Sequence, residues 1–183
     1  MAAPTTEFNE LSMALAAADL DDNAERLAID SVISTGAGNE LDFGSVNISG
    51  GAANSGVKAF CWQVTAWNSN TQVENFRFWL SSNGFDQAGS IINYATWKLD
   101  ATSEWVKIAT TGDVGSTQLP ESEPSQNVFQ GGDGSTTSIT SSDEDTTEAV
   151  AMFVAVAASE TLGTYKGTDS GLELQFSFKY DYF

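Results

Sequence analysis

Paired carboxylates are the most plentiful groups in this chain that could do chemistry: Asp19 with Asp22, Glu121 with Glu123, and Asp143 with Asp145. Two carboxyls facing each other across a cleft hydrolyse glycosidic bonds when an apolar surround raises the pKa of one of them. These pairs lie in polar stretches with nothing apolar beside them, so they read as solvated charge. Asp19, Asp21, Asn23 and Glu25 supply part of the alternating oxygen pattern of a calcium loop, but the glycine that makes its turn is missing. With Asp143 and Asp145 they are the weak calcium candidates, and calcium is the one cofactor left open. The GGDGS run at 131–135 is a single copy with no following helix or further repeat, which makes it a flexible turn.

The chain contains no histidine. That removes the commonest general base, the commonest transition-metal ligand and every triad that needs an imidazole. Its single cysteine, Cys61, can form no internal disulfide and reads as a buried thiol acting as a small hydrophobe. A non-enzymatic protein is the expectation.

Charge narrows the partners. There are 25 acidic residues against 7 basic ones, a formal net charge of −18, which repels any polyanion, so nucleic acid is not an expected partner. No run approaches the roughly 20 apolar residues of a membrane helix, so membrane insertion is not expected either. The opening MAAPTTEFNE lacks the charged and apolar regions of a signal peptide, which implies synthesis in a cytoplasm.

Five tryptophans and a well-placed arginine offer a binding face. In the strand register below, Trp62 points inward, while Trp67, Trp79 and Trp105 fall with Arg77 on the opposite face. Exposed tryptophan and arginine mark interface hot spots, and aromatic platforms also stack sugars. That face is therefore covered by another part of the chain, by a neighbouring subunit, or by carbohydrate.

The elements that would position these groups are mainly strands. Phe60, Trp62 and Val64 share one face of the first run in FCWQVTAWNSNTQVENFRFWL, and Phe76, Phe78 and Leu80 share one face of the second. As a hairpin, the register that keeps both faces together pairs Trp62 with Phe78 and Val64 with Phe76; a link crossing between two sheets satisfies the same pattern. LAIDSVIS and ELDFGSVNIS predict two earlier strands, and YATWKLDATSEWVKIA a later hairpin. Ala149 to Ala158 is apolar on both faces, which calls for a strand in the middle of a sheet covered on both sides, or on an edge covered by a neighbouring subunit. Leu172 to Phe183 alternates as the last strand.

Two segments read differently. Phe8, Leu11, Leu15 and Ala18 recur at helical spacing, predicting a short amphipathic helix from Glu7 to Ala18 within an N-terminal arm of residues 1–26. Phe8, Leu11 and Leu15 are its expected interface residues, and its deletion is expected to leave the rest folded. Residues 27–183 then form one β-sandwich domain with an acidic surface excursion at about 111–148, holding short strands near 127–130 and 137–140.

The run Leu41, Asp42, Phe43, Gly44, Ser45, Val46, followed by Gly50 and Gly51 and the strand through Val64, resembles the opening of immunoglobulin-like β-sandwich modules. The resemblance spans about 30 residues and implies a sandwich without implying an activity. In composition the chain also resembles phage virion structural proteins. The fold expected is all-β, a single antiparallel sandwich, immunoglobulin-like or jelly-roll. The function expected is that of a self-assembling virion structural protein, a capsid decoration or surface subunit of a prokaryotic virus, held by strand or arm exchange with copies of itself or a lattice protein. The alternatives are a subunit of an extracellular filament or appendage, and a carbohydrate-binding module.

Overall fold

The computed structural model describes residues 2–12, 29–33, 41–99, 105–125, 129, 137–142, 145–163, 165 and 174–183. Its elements in chain order are β1 (Thr5–Leu11), β2 (Ile29–Ile33), β3 (Ala53–Asn54), β4 (Lys58–Ala66), β5 (Gln72–Asn83), β6 (Ile91–Thr96), β7 (Lys98–Leu99), β8 (Trp105–Val106), the single turn α1 (Thr111–Val114), β9 (Ser138–Thr140), β10 (Val150–Val156) and β11 (Leu174–Tyr182). One sheet runs β2-β1-β4-β10-β6, with β3 beside β4 along the same edge of β10; the second runs β11-β5-β9. Every pairing is antiparallel, and the fold is an all-β, sandwich-like architecture.

The core follows from strand alternation. Phe60, Trp62 and Val64 of β4 face Phe76, Phe78 and Leu80 of β5 across the sandwich. Trp62 lies 5.4 Å from Phe76, and Phe60 lies 5.5 Å from Phe78, ring centre to ring centre. The two strands do not pair as a hairpin. β4 takes β1 on one edge and β10 on the other, so β5 crosses to the second sheet and pairs with β11. The crossing turn uses Asn68 and Ser69 at φ 49° and 71°, while the Asn70 side chain donates to the Trp67 carbonyl at 2.7 Å.

β10 meets the demand of its two apolar faces. Val150, Met152 and Val154 enter the main core, whereas Ala149, Ala151 and Phe153 join a second cluster with Leu11, Ala59, Cys61, Trp97, Ile108 and Val114. From beyond β6, Trp97, Ile108 and Val114 of α1 supply that second layer. Cys61 is a buried thiol inside it, joined in no disulfide.

Two local expectations are corrected. Over Glu7–Leu11 the expected helix is a strand, because β1 hydrogen-bonds to both β2 and β4. Pairing on two edges overrides a three-turn helical pattern that is marginal alone. Leu15 and the acidic turn after it lie outside the described residues. Leu41–Ile48 forms no regular strand: Asp42 Oδ1 accepts the Gly44 N–H at 2.7 Å, and Asn47 Oδ1 accepts the Ser49 N–H at 3.0 Å. Short polar side chains here offer the backbone an alternative to a ladder, although Leu41 and Phe43 still pack on the main core.

Described residues of the 111–148 stretch also pack into the cores. Val114, Leu119, Phe129 and Ile139 are buried. Leu119 donates its N–H to Ile92 O of the first sheet, and Pro120 O accepts the Leu80 N–H of the second, both at 2.8 Å, so this short strap stitches the sheets together along one flank. β9 stands where a short strand was expected, whereas 127–130 lies outside the described residues apart from Phe129.

Candidate functional site

The outer face of the second sheet gathers the groups with most chemical character. In β5, Arg77 and Trp79 point away from the core because Phe76, Phe78 and Leu80 point into it. β11 places Lys179 opposite Arg77 and Ser177 opposite Trp79. The strap contributes Glu123, whose carboxylate accepts from Arg77 Nη1 at 2.8 Å and also pairs with Lys179. Asp181 accepts from Arg77 Nη2 at 3.4 Å and from Asn75 Nδ2 at 2.7 Å. Lys179 Nζ stands 5.6 Å above the Trp79 ring, a cation–π contact. Its hydrogen bond is the leading cause that holds the Glu123 carboxyl below its ordinary pKa.

Much of this face is therefore covered from within the chain. Trp79 is only 8% exposed, and Trp62 and Trp97 are buried in the two cores. Trp67 falls on the main core and not beside Arg77, since it occupies the crossing turn and packs inward. None of these three buried rings offers a flat platform to a sugar. Phe8 and Leu11 are likewise internal: Phe8 lies 5.0 Å from Phe178 of the opposite sheet, and Leu11 belongs to the second cluster. Of the expected interface residues described, Arg77 alone keeps its charged group on an outer face, bridged to two carboxylates.

A second cluster, which sequence reasoning missed, lies where the 84–90 loop meets the segment after β10. Glu160 is 5% exposed, and its carboxylate accepts the Asp86 N–H at 2.9 Å, the Gln87 N–H at 3.2 Å, the Thr161 N–H at 3.2 Å and the Tyr165 hydroxyl at 2.8 Å. Burial pushes its pKa up, but hydrogen bonds from the Ser90 side chain, Asp86 N–H, Tyr165 hydroxyl and Gln87 N–H outweigh this and hold it at about 2. Burial, and then the neighbouring carboxylate, raise the Tyr165 phenol to about 12. Phe85 packs on the Tyr165 ring at 5.0 Å. With its donors already supplied, this carboxylate works as a clip between two loops. Thr161 and Tyr165 are close in sequence, but the Asp86 and Gln87 donors lie 74 and 73 residues away, so no local spacing signals the site.

A cleft of about 660 Å³ beside β6 is lined by Tyr94, Val106, Lys107, Ile108, Asp113, Val114 and Thr117, among others. Its one carboxylate is committed to a helix cap: Asp113 Oδ2 accepts the Thr110 N–H at 2.9 Å, and the Thr110 hydroxyl accepts the Asp113 N–H at 3.2 Å. The hydrogen bonds of that capping box lower the Asp113 pKa, Thr110 first. Burial raises Tyr94 and lowers Lys107.

Among the calcium candidates only Asp145 is described; it is exposed, with Oδ2 accepting from Gln63 Nε2 at 3.2 Å. Asp19, Asp21, Asn23, Glu25 and Asp143 lie outside the described residues. Among the described residues, no group of three or more histidine, cysteine, aspartate and glutamate side chains could hold a metal ion. No described helix is long and apolar enough to cross a membrane. Comparison with protein-family models, curated proteins and solved structures finds no match to this chain.

Proposed function

We propose that this chain is a non-enzymatic structural subunit of a prokaryotic virus particle, a capsid decoration or surface protein that meets its neighbours through strand edges. One observation carries the reading. β11 stands at the rim of the second sheet, pairing with β5 along one edge and with no other strand among the described residues. A rim of this kind is a template for another strand, and main-chain hydrogen bonds then give the contact its affinity.

Rim pairing is favoured over arm exchange. β1 lies between β2 and β4 and carries Phe8 and Leu11 into the cores, so lending it to a neighbour would dismantle the first sheet. For the same reason, deleting residues 1–26 would remove a structural strand and could not leave the sandwich intact. A rim contact adds a strand without disturbing either core. The charge of −18 keeps free subunits apart at low ionic strength and makes association depend on screening salt.

Density-gradient fractionation of cells that produce the chain tests the proposal. The chain should band with intact particles and be labelled on their outer surface by antibody. Recovery only from the soluble fraction, with particles free of the chain, would refute the structural role.

A further inference from the structure

We propose that the rim of β11 pairs with the same strand of a second copy, antiparallel and centred on Tyr180. The inference deepens the structural reading and rests on it for the use of this rim. In a two-fold antiparallel contact, each register is fixed by which residue faces itself. Centred on Tyr180, Lys179 opposes the second copy's Asp181 at two symmetric places, and Phe178 opposes its Tyr182. The charged pairs fall on the outer face, and the aromatic pairs continue the inner ladder of Phe178, Tyr180 and Tyr182, whose neighbouring rings are 5.8 and 6.2 Å apart.

Neighbouring registers fail. A shift of the centre to Lys179 sets lysine against lysine, and a shift to Asp181 sets aspartate against aspartate; like charges directly opposed are destabilising. A centre between two residues would pair core-facing with outward-facing side chains. Charge complementarity therefore selects one arrangement. The required groups are accessible: the side chains of Lys179 and Asp181 are 54% and 46% exposed despite their ion pairs within the chain. Tyr182 and Phe183 are exposed large apolar residues at the same end of the strand, and this contact would cover them. The result is one continuous sheet, β9-β5-β11 joined to its symmetry copy.

Sedimentation velocity of the full chain across protein concentration, in moderate salt, tests this with Lys179→Asp, Asp181→Lys and the double swap. The wild type should form a dimer. Each single swap opposes two like-charge pairs and should weaken association roughly tenfold or more, whereas the double swap should recover most of it. Recovery cannot come from within a subunit, because the double swap sets Asp against Glu123 and Lys against Arg77. Near-UV circular dichroism of each variant checks that the sandwich is retained. A wild type monomeric at every concentration, or a double swap no better than the singles, overturns the inference. Assembly unchanged by all three variants overturns it as well, while leaving the particle reading to the fractionation experiment.

Discussion

Replacing Glu160 by glutamine tests the loop clip by its pH dependence. The folded carboxyl is held at about 2 against an ordinary value of 4.5. At about 1.4 kcal/mol per unit the difference amounts to about 3 kcal/mol, and solvent screening at this loop junction reduces it to about 2 kcal/mol. Because the folded value is the lower one, the contribution is complete above pH 4.5 and is lost as the pH falls toward 2. Glutamine keeps the shape but turns an amide toward N–H donors. Urea unfolding of wild type and Glu160→Gln should therefore differ by about 2 kcal/mol at pH 7 and by roughly half of that or less at pH 3, still one unit above the folded value. A gap that stays constant between pH 7 and pH 3 would show that the carboxylate is not the group holding these loops.

Other consequences of the packing are open to simple measurement. Phe76→Ala removes a fully buried ring that touches Trp62 and Phe178, and urea unfolding should register a loss of about 3–5 kcal/mol; a loss below about 1 kcal/mol would mean that the two sheets do not meet there. Ser69→Gly relieves a left-handed backbone at φ 71° and should raise stability by about 0.5 kcal/mol, seen as a higher unfolding midpoint. Cys61 should resist a thiol reagent in the native protein and react once urea exposes the second core, so rapid native labelling would contradict its burial.

What was legible in the sequence was the part governed by short-range periodicity. The alternation of Phe60, Trp62 and Val64 against Phe76, Phe78 and Leu80 located the core faces, and the doubly apolar run around Met152 marked a strand needing cover on both sides. Which strands pair is a non-local matter. β4 and β5 satisfy the same pattern as a hairpin or across the sandwich, and the outcome turns on β1 and β10 occupying both edges of β4. The N-terminal segment misled for a related reason: Phe8 and Leu11 are spaced for one helical face, yet in β1 they enter different cores on opposite sides of the sheet. Trp79 and Arg77 were rightly placed on an outer face. The strap residue Glu123 and the strand residue Lys179 that cover it are separated from them by 44 to 102 positions, beyond any local pattern. Glu160 was invisible likewise, since its donors at Asp86 and Gln87 belong to a loop defined only after β5 and β6 are in place.

A cryo-electron microscopy reconstruction of particles from cells that produce the chain would show the proposed subunit and its rim in place. The two-sheet sandwich should repeat under closed symmetry on the particle, with β11 of each copy lying against a neighbouring strand. A particle surface fully accounted for by other proteins, or the sandwich present with the rim of β11 facing solvent in every copy, would contradict it.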